Sequence, residues 1–430
     1  MQQIGDFERR STEGGVELWI HRTPRFKSRL WRISFRQPLD HTSVCRTLAI
    51  HLLRRGTTHH RSMREVSRAL ERLYGASWVA GTCPLGAHQH LRVRLDHVEE
   101  RHLPGGEAVD QPARELLRQL LFEPALDDDG AFPESAFQTE YRNLQHEFDA
   151  LYDDKPAWAW RRFLEHWFPG EPWGLPSLGR KEDLEGLDRF DVTEAWRKLL
   201  REAPARVMVV GEVDPDEVVD WVSQALPLHS KSQQPAPTPP LSQAPTPRWE
   251  IEEDQLLQAR LQVGFRVDLQ SLSTSAHDAL ALVSNILGDG FHSRLFRRIR
   301  EEHSLAYDVS ALLDRSKGFL ACTAGIDANR REEVHELMCE EIESLRREPP
   351  TEEEFERARR SLVGTSRSLR ESPEGMLDLL EASLAKGRVR RLEDIVDSFL
   401  ALGPADVLEA AERIQTAELS YCLVPRGASA

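Results

Sequence analysis

The chain has 430 residues, a formal net charge of −15 and 40% hydrophobic residues, which is sufficient for two or three domains with buried cores. The acidic balance argues against nucleic acid and anionic membrane surfaces as partners, and no apolar run approaches the roughly 18 residues that span a bilayer. Because the N-terminus lacks the apolar segment of a signal peptide and the five cysteines are scattered without CxxC spacing, we expect a cytoplasmic protein with reduced thiols.

The first half alternates strand and helix patterns. Two strand-like stretches, "GVELWIHRT" and "RLWRISFRQ", precede a helix that we predict from Cys45 to Arg55. Ser62 and Glu65 have the spacing of a capping box, which opens a second helix that runs to about Tyr74. The strand-like stretch "ASWVAGTC" follows, and the half ends near the apolar stretch "ARVMVVGEV".

The second half repeats this plan after a linker. Residues 229–248 contain six prolines, so we predict an extended linker between an N-terminal domain, 1–228, and a C-terminal domain, 249–430. After it come the stretch "ARLQVGFRVDL", a helix, the turn Gly288-Asp289-Gly290, a helix from Arg294 to Glu302 and the stretch "AYDVSALL". The parallel order predicts a tandem repeat of one α/β unit.

Residues 287–307, "LGDGFHSRLFRRIREEHSLAY", resemble the second-domain signature of the pitrilysin/insulinase superfamily of zinc peptidases, the inverzincins. The resemblance covers essentially the whole chain. It implies an α/β fold of two homologous domains, each a mixed, mainly antiparallel sheet packed with helices, which face each other as a clam shell. It also implies a binding role for the glycine-rich turn with Gly288 and Gly290. The stretches "FRQPL", "LYGAS" and "LYDDKPAWAW" are similar to a bacterial branch that lacks the zinc motif.

The catalytic helix of that family reads His-x-x-Glu-His. Its two histidines bind zinc from one helical face, and its glutamate deprotonates the zinc-bound water. When the chain is aligned on Gly56-Thr57, which resembles the Gly-Thr that follows the motif, His51 takes the second histidine position. Thr47 then replaces the first histidine, and Ile50 replaces the general base. We therefore predict a vestigial motif that holds no metal.

The third zinc ligand in the family is a glutamate that follows another glutamate by seven residues. Glu140 and Glu147 have that spacing on a predicted helix. Without partners on the first helix, we interpret Glu147 as a vestigial or solvated residue and His51 as a partly buried histidine. The alternative is an unorthodox metal site in which His59 and His60 join His51.

A second stretch, "RFLEHWF" at 162–168, nearly matches the zinc motif. Arg162 stands where the motif needs a histidine, and arginine stays protonated and does not bind zinc. We therefore interpret this stretch as a core helix with exposed charges.

The resemblance also implies that the second domain of active members supplies an arginine and a tyrosine, seven residues apart, which reach the substrate at the zinc. Arg300 and Tyr307 match these positions inside the signature. Arg300 would donate hydrogen bonds to a substrate carbonyl, and the Tyr307 hydroxyl would stabilise the oxyanion of the tetrahedral intermediate. The alternative is a surface arginine and a strand tyrosine without a catalytic role.

These features predict a non-catalytic subunit of a zinc peptidase. It would supply Arg300 and Tyr307 in trans to a homologous zinc-bearing subunit in a heterodimer, or to a second copy of itself, and the substrate would be an extended peptide. No cofactor is expected in this chain, since zinc would lie only in the partner. Two alternatives stay open: a structural or peptide-binding subunit without any role in catalysis, and a self-sufficient metallopeptidase with an unorthodox metal site.

Overall fold

Strands and helices alternate along residues 2–228, 247–270 and 272–427, which are the residues that the computed structural model describes. The strands of the first sheet are β1 (Gln2–Ile4), β2 (Phe7–Ser11), β3 (Glu17–Arg22), β4 (Ser28–Pro38), β5 (Ser77–Leu85), β6 (His88–Val98) and β7 (Ala205–Gly211). The helices of this part of the chain are α1 (Ser43–Leu52), α2 (Met63–Arg72), α3 (Asp110–Phe122), α4 (Glu134–Asp153), α5 (Lys155–Trp167), α6 (Arg189–Glu202) and α7 (Pro215–Ala225).

A second sheet follows. Its strands are β8 (Arg248–Asp254), β9 (Ala259–Val267), β10 (Ala306–Asp314), β11 (Phe319–Ile326) and β12 (Ile414–Pro425). The helices are α8 (Thr274–Gly288), α9 (Arg331–Arg347), α10 (Glu352–Leu369), α11 (Pro373–Ala385), α12 (Leu392–Ala401) and α13 (Pro404–Ala411), with a π-helix at Phe296–Glu302 between α8 and β10.

The two sheets share one strand order. The series β3-β7-β4-β6-β5 of the first sheet corresponds to β8-β12-β9-β11-β10 of the second, and the first sheet adds β2 and β1 beyond β3. In both series the first pair, β3 with β7 and β8 with β12, is parallel, while the other described pairs are antiparallel. The predicted class, mixed and mainly antiparallel sheets packed with helices, is confirmed. The clam-shell arrangement stays a prediction.

One face of each sheet carries the main apolar core. In the first sheet, α1, α3 and α6 pack there, and Leu48, Leu117 and Leu199 are buried against the strands. In the second sheet, α8, α9 and α13 contribute the corresponding core around Val283 and Met338. Burial of this apolar surface is the main force that stabilises each sheet and its helices.

The chain forms two compact units, and each takes residues from both halves of the sequence. The first comprises the described residues within Met1–Asp149, Leu175–Ala236 and Leu369–Arg391, and the second comprises those within Ala150–Gly174, Pro237–Ser368 and Leu392–Ala430. Helix α5 therefore belongs to the second unit and α11 to the first. The predicted domains at 1–228 and 249–430 stay a prediction, and 229–246 of the predicted linker at 229–248 lie outside the described residues.

Helix α11 packs on the face of the first sheet that is opposite to the main core. An apolar patch around Trp19 and Met208 contacts Met376, Leu377 and Leu380 of α11. Beside this patch, Arg32 of β4 is 1% exposed and pairs with three acidic residues of α11, Glu374, Asp378 and Glu381. A buried arginine needs such partners because an unpaired charge is costly to remove from water.

Helix α5 has the corresponding place in the second unit. A Cβ at Gly264 of β9 would lie 2.5 Å from the Trp167 ring, so only glycine allows the helix to approach the sheet this closely. Arg162 and His166 of α5 contact the Glu252 carboxylate on β8, and the Tyr421 hydroxyl donates to the same carboxylate. The predicted core helix at 162–168 is therefore present, but its charges are in an ion-pair network and are not simply exposed.

Two further elements differ from the sequence prediction. The helix predicted from Arg294 to Glu302 is a π-helix over Phe296–Glu302. Strand β8 begins at the last residue of the predicted linker and lies at the edge of the second sheet, and it was not predicted from the sequence. Within the described residues, no helix is both long and apolar enough to cross a membrane.

Candidate functional site

The positions that match the zinc motif lie on α1, and all ten residues of this helix are buried. The Thr47 hydroxyl donates to the backbone oxygen of Ser43 at 2.9 Å and accepts a hydrogen bond from Gln89 Nε2 at 3.1 Å. Ile50 is 1% exposed and belongs to the main core of the first sheet. Neither side chain can bind a metal ion in this arrangement, since one is fully used in hydrogen bonds and the other is a hydrocarbon.

Gln89 of β6 connects α1 to its surroundings, and the sequence analysis did not identify it. Its side-chain oxygen accepts from Arg46 Nε at 2.8 Å, and its amide nitrogen also donates to the backbone oxygens of Ser43 and Ser177 at 3.0 and 2.7 Å. The residue is fully buried. A glutamine within the strand-like run "HQHLRV" was the available signal, because a buried amide must find partners for all of its polar atoms.

His51 is 6% exposed, and its Nδ1 is buried without a hydrogen-bond partner in the described structure. Burial and, to a smaller extent, the positive charge of Arg54 lower the pKa of His51 to about 4, whereas Glu140 acts in the opposite direction. The imidazole is therefore neutral at physiological pH. This fits the interpretation of a buried histidine.

Two arginines that follow α1 lie near Glu140 of α4. Arg55 donates to the Glu140 carboxylate, and Arg54 Nη2 lies 3.7 Å from its second oxygen. Glu140 is 2% exposed and also accepts from the side chain of Asn143 at 3.2 Å. Glu147 is exposed as a residue, although partial desolvation of its carboxylate raises its pKa against the opposing effect of Arg54.

The residues at these positions do not fit the zinc site of the family. Of the three ligand positions, Thr47 has a hydroxyl that is already hydrogen bonded, while His51 and Glu147 have the charge of Arg54 close by. Among the described residues, no group of three histidine, cysteine or acidic side chains is placed to hold a metal ion. His59 instead lies 3.3 Å from the Glu123 carboxylate, and both His59 and His60 donate backbone hydrogen bonds to the Thr57 hydroxyl.

Arg300 and Tyr307, which the sequence placed at matching positions, lie together in the structure. The Arg300 guanidinium donates to the backbone oxygen of Tyr307 and lies 5.1 Å above the Phe296 ring. The chain reaches this geometry through the π-helix and a left-handed residue, Ser304, with φ of 53°. π-Helical segments and such backbone conformations occur frequently at functional sites.

The Tyr307 side chain is 67% exposed on β10, an edge strand of the second sheet. The register between β10 and β11 shifts between Ala306 and Val309, so the start of the strand is irregular where Tyr307 lies. Both side chains of the pair are therefore accessible, and the Arg300 guanidinium is oriented by a backbone contact. The pair thus places a cation and an exposed phenol near the start of one edge strand.

Gly288 and Gly290 have structural reasons to be glycine. A Cβ at Gly288 would lie 2.1 Å from the backbone nitrogen of Ala311 on β10, and Gly290 has φ of +80°. A surface cavity of about 280 Å³ adjoins the turn and is lined by Asp289, Phe291 and Glu354, among others. A binding role for the two glycines stays a prediction.

The chain is similar to several known proteins. Residues 186–362 match the family described as "Peptidase M16 inactive domain". The "Probable inactive metalloprotease YmfF" of Bacillus subtilis is 24% identical over 98% of this chain and 99% of its own length. A conserved protein from Enterococcus faecalis has the same fold, with a TM-score of 0.90 at 23% identity over 98% of this chain and 99% of that one. A peptidase M16 inactive domain from Pseudomonas fluorescens gives a TM-score of 0.77 at 18% identity, over 98% of both chains.

Proposed function

We propose a non-catalytic role in proteolysis for this chain, which belongs to the M16 peptidase family, the pitrilysin/insulinase superfamily, in its branch without the zinc motif. In this proposal the chain supplies Arg300 and Tyr307 in trans to a homologous subunit that carries the zinc site. The observation that carries the proposal is the position of the pair. Arg300 and Tyr307 are adjacent and exposed at an edge strand, while the positions of the zinc motif are buried.

The proposed chemistry follows from the two side chains. A guanidinium has five N–H donors, and one Nη of Arg300 donates to the Tyr307 backbone oxygen, which fixes the direction of the group. The outer donors would hold a substrate carbonyl. The Tyr307 hydroxyl would donate to the oxyanion that forms when a zinc-bound water of the partner attacks that carbonyl, and one such donor typically contributes ~10²- to 10³-fold in rate.

The proposal specifies a heterodimer for catalysis. A second copy of this chain would also have Thr47 and Ile50 in place of a ligand and the general base, so a homodimer would have no zinc-bound water to activate. We place the complex in the cytoplasm because the cysteines are free, and Cys45, Cys322 and Cys422 are buried. The substrate in this proposal is an extended peptide.

The test is peptide turnover by the assembled complex. The chain is combined with a homologous subunit that has an intact His-x-x-Glu-His, and cleavage of a fluorogenic peptide is measured for the native chain and for Tyr307→Phe. We expect kcat to fall about 10- to 1000-fold, with assembly unchanged in size-exclusion chromatography. Tyr74→Phe is the matched control, because Tyr74 is 50% exposed and lies in the other unit. Unchanged turnover with Tyr307→Phe would falsify the in-trans role.

A second candidate function is a peptide-binding subunit without a role in catalysis. The edge strand β10, with Tyr307 and Leu312 exposed, favours it, since an extended peptide can pair with an open sheet edge. In that case Tyr307→Phe leaves turnover unchanged, whereas a proline at an exposed position of β10, Ser310→Pro, weakens peptide binding. For a self-sufficient metallopeptidase, the described residues offer no group of three histidine, cysteine or acidic side chains that could hold a metal ion.

A further inference from the structure

Two arginines to which the sequence analysis assigned no role lie at the junction between α1 and α4. Arg54 and Arg55 follow α1 directly, and both lie near the Glu140 carboxylate. Arg54 is also held to α1 itself, because its Nε lies 3.4 Å from the backbone oxygen of His51. Arg54 therefore lies next to His51, the second ligand position of the family's motif, and both guanidiniums lie near Glu140, two helical turns before the third ligand position at Glu147.

Glu140 of α4 needs a cationic partner at this place. Glu140 is almost completely buried, and a buried carboxylate is strongly destabilising unless it is paired and hydrogen bonded. In a zinc-containing site the divalent ion supplies positive charge next to the glutamate ligand. Here the protein itself supplies two positive charges at the end of α1, and the family's metal does not fit the donors that remain.

We propose that Arg54 and Arg55 take the electrostatic place of the metal ion. Arg55 pairs with Glu140, and Arg54 lies between α1 and α4, with its Nη2 3.7 Å from the same carboxylate and its Nε 3.4 Å from the backbone oxygen of His51. The helix α1 is held to α4 by ion pairs and needs no metal. This inference goes beyond the in-trans role and does not depend on it.

A consequence is that restoring the zinc-motif residues does not by itself restore zinc binding. Thr47→His with Ile50→Glu returns the first histidine and the general base, but the Arg54 guanidinium stays among the ligands and repels a divalent cation. Removal of Arg54 should therefore be needed in addition. Zinc binding at this site therefore requires two separate changes: the zinc-motif residues must be restored, and the positive charge of Arg54 must be removed.

The first experiment titrates zinc into full-length variants by isothermal titration calorimetry. We expect Thr47→His/Ile50→Glu/Arg54→Met to bind zinc at least about 100-fold more tightly than Thr47→His/Ile50→Glu. The control adds Arg64→Met, an exposed arginine of α2, in place of Arg54→Met and should match the double variant. Equal zinc affinity of the double and triple variants overturns the proposal.

The second experiment needs no zinc and therefore covers the case in which the triple variant is misfolded. Arg55→Met removes the closer of the two ion-pair partners of the buried Glu140 and leaves only Arg54, and we expect the midpoint of thermal unfolding to fall by about 5 to 10 °C. Combining it with Glu140→Leu should recover at least half of that loss, because the buried charge is then gone. If the double variant is no more stable than Arg55→Met alone, the charge-compensation role of Arg55 is wrong.

Discussion

The segment from α1 to β5 in the first sheet and the segment from α8 to β10 in the second occupy the same place in two sheets with one strand order. In the first segment, the polar groups of Thr47 and Arg55 are directed to other protein groups, Gln89 of β6 and Glu140 of α4, and α1 is buried. In the second, Arg300 and Tyr307 remain exposed, and a π-helix keeps them together. The polar groups around α1 are thus used inside the protein, whereas Arg300 and Tyr307 are open to solvent.

The most direct test of this comparison mutates one arginine in each segment and compares the peptide turnover of the two assembled complexes. We expect Arg300→Ala to lower the turnover of the assembled peptidase by about 100- to 1000-fold, because the guanidinium holds the substrate carbonyl. Arg54→Ala, in the first segment, should leave turnover within about 2-fold. Steady-state kinetics of the two complexes measures both. Equal losses for the two variants would mean that the distinction between the two segments is wrong.

The free energy of unfolding should depend more on the buried residues around α1 than on Arg300 and Tyr307. Gln89→Leu removes the partner of Arg46 Nε, Thr47 Oγ1 and two backbone oxygens in a buried region, and we expect the free energy of unfolding to fall by about 2 to 4 kcal/mol. Tyr307→Phe should change it by less than about 0.5 kcal/mol, since the side chain is exposed. Urea denaturation of the isolated chain gives both values. A larger loss for Tyr307→Phe contradicts the prediction.

His51 should make the first segment sensitive to acid. Its pKa is about 4 in the folded chain against 6.5 as the reference value, so between these pH values the unfolded chain binds more protons than the folded one. Its contribution to stability is therefore complete above pH 6.5 and is lost as the pH falls towards 4, by about 3 kcal/mol at most.

The measurement is the difference in pH dependence between the native chain and His51→Gln, which isolates this histidine from the other titratable groups. We expect His51→Gln to unfold with a shallower loss of stability between pH 6.5 and 4. His60→Gln, in the following turn, is the matched control and should keep the native slope. A native slope in His51→Gln shows that the histidine does not contribute.

The smallest expected effect is that of removing metal ions with a chelator. Because the arginines supply the charge at the former zinc position, a strong chelator should shift the midpoint of thermal unfolding of the isolated chain by less than about 1 °C. The purified chain should contain well below one zinc ion and cleave no peptide. One zinc per chain after dialysis against a weak chelator, with chelator-sensitive cleavage, contradicts this prediction and the proposed non-catalytic role.

Much of the fold followed from local patterns. The N-cap of α2 lies at Ser62 as predicted, with its hydroxyl accepting from the Glu65 backbone nitrogen, but the capping box is only half formed because the Glu65 carboxylate accepts from the Arg61 backbone nitrogen. The helix predicted from Cys45 to Arg55 corresponds to α1 and the 3-10 turn that follows it. Alternation identified β5, although not its full length. These features depend on residues that are close in the sequence, which is why a single sequence reveals them.

What the sequence could not show depends on long-range contacts. Arg54 and Arg55 look like solvated residues at a helix end until α4 brings Glu140 to them. The π-helical winding at Phe296–Glu302 is set by how the segment packs before β10, and its sequence reads as an ordinary helix. Arg162 and His166 likewise acquire their role only when β8 places Glu252 beside them.

The assignment of α5 to the second unit and α11 to the first has a consequence for synthesis on the ribosome. The first sheet is translated before α11, so its Arg32 and its apolar patch around Trp19 stay uncovered while β8 to β11 are being made. Helix α5 can pack on the second sheet only after β9 and β12 have been translated, and β12 is translated almost last. Domains usually fold as units while the chain emerges. In this protein, completion of each unit is postponed until the end of translation, so truncated chains would present uncovered surfaces to chaperones and proteases.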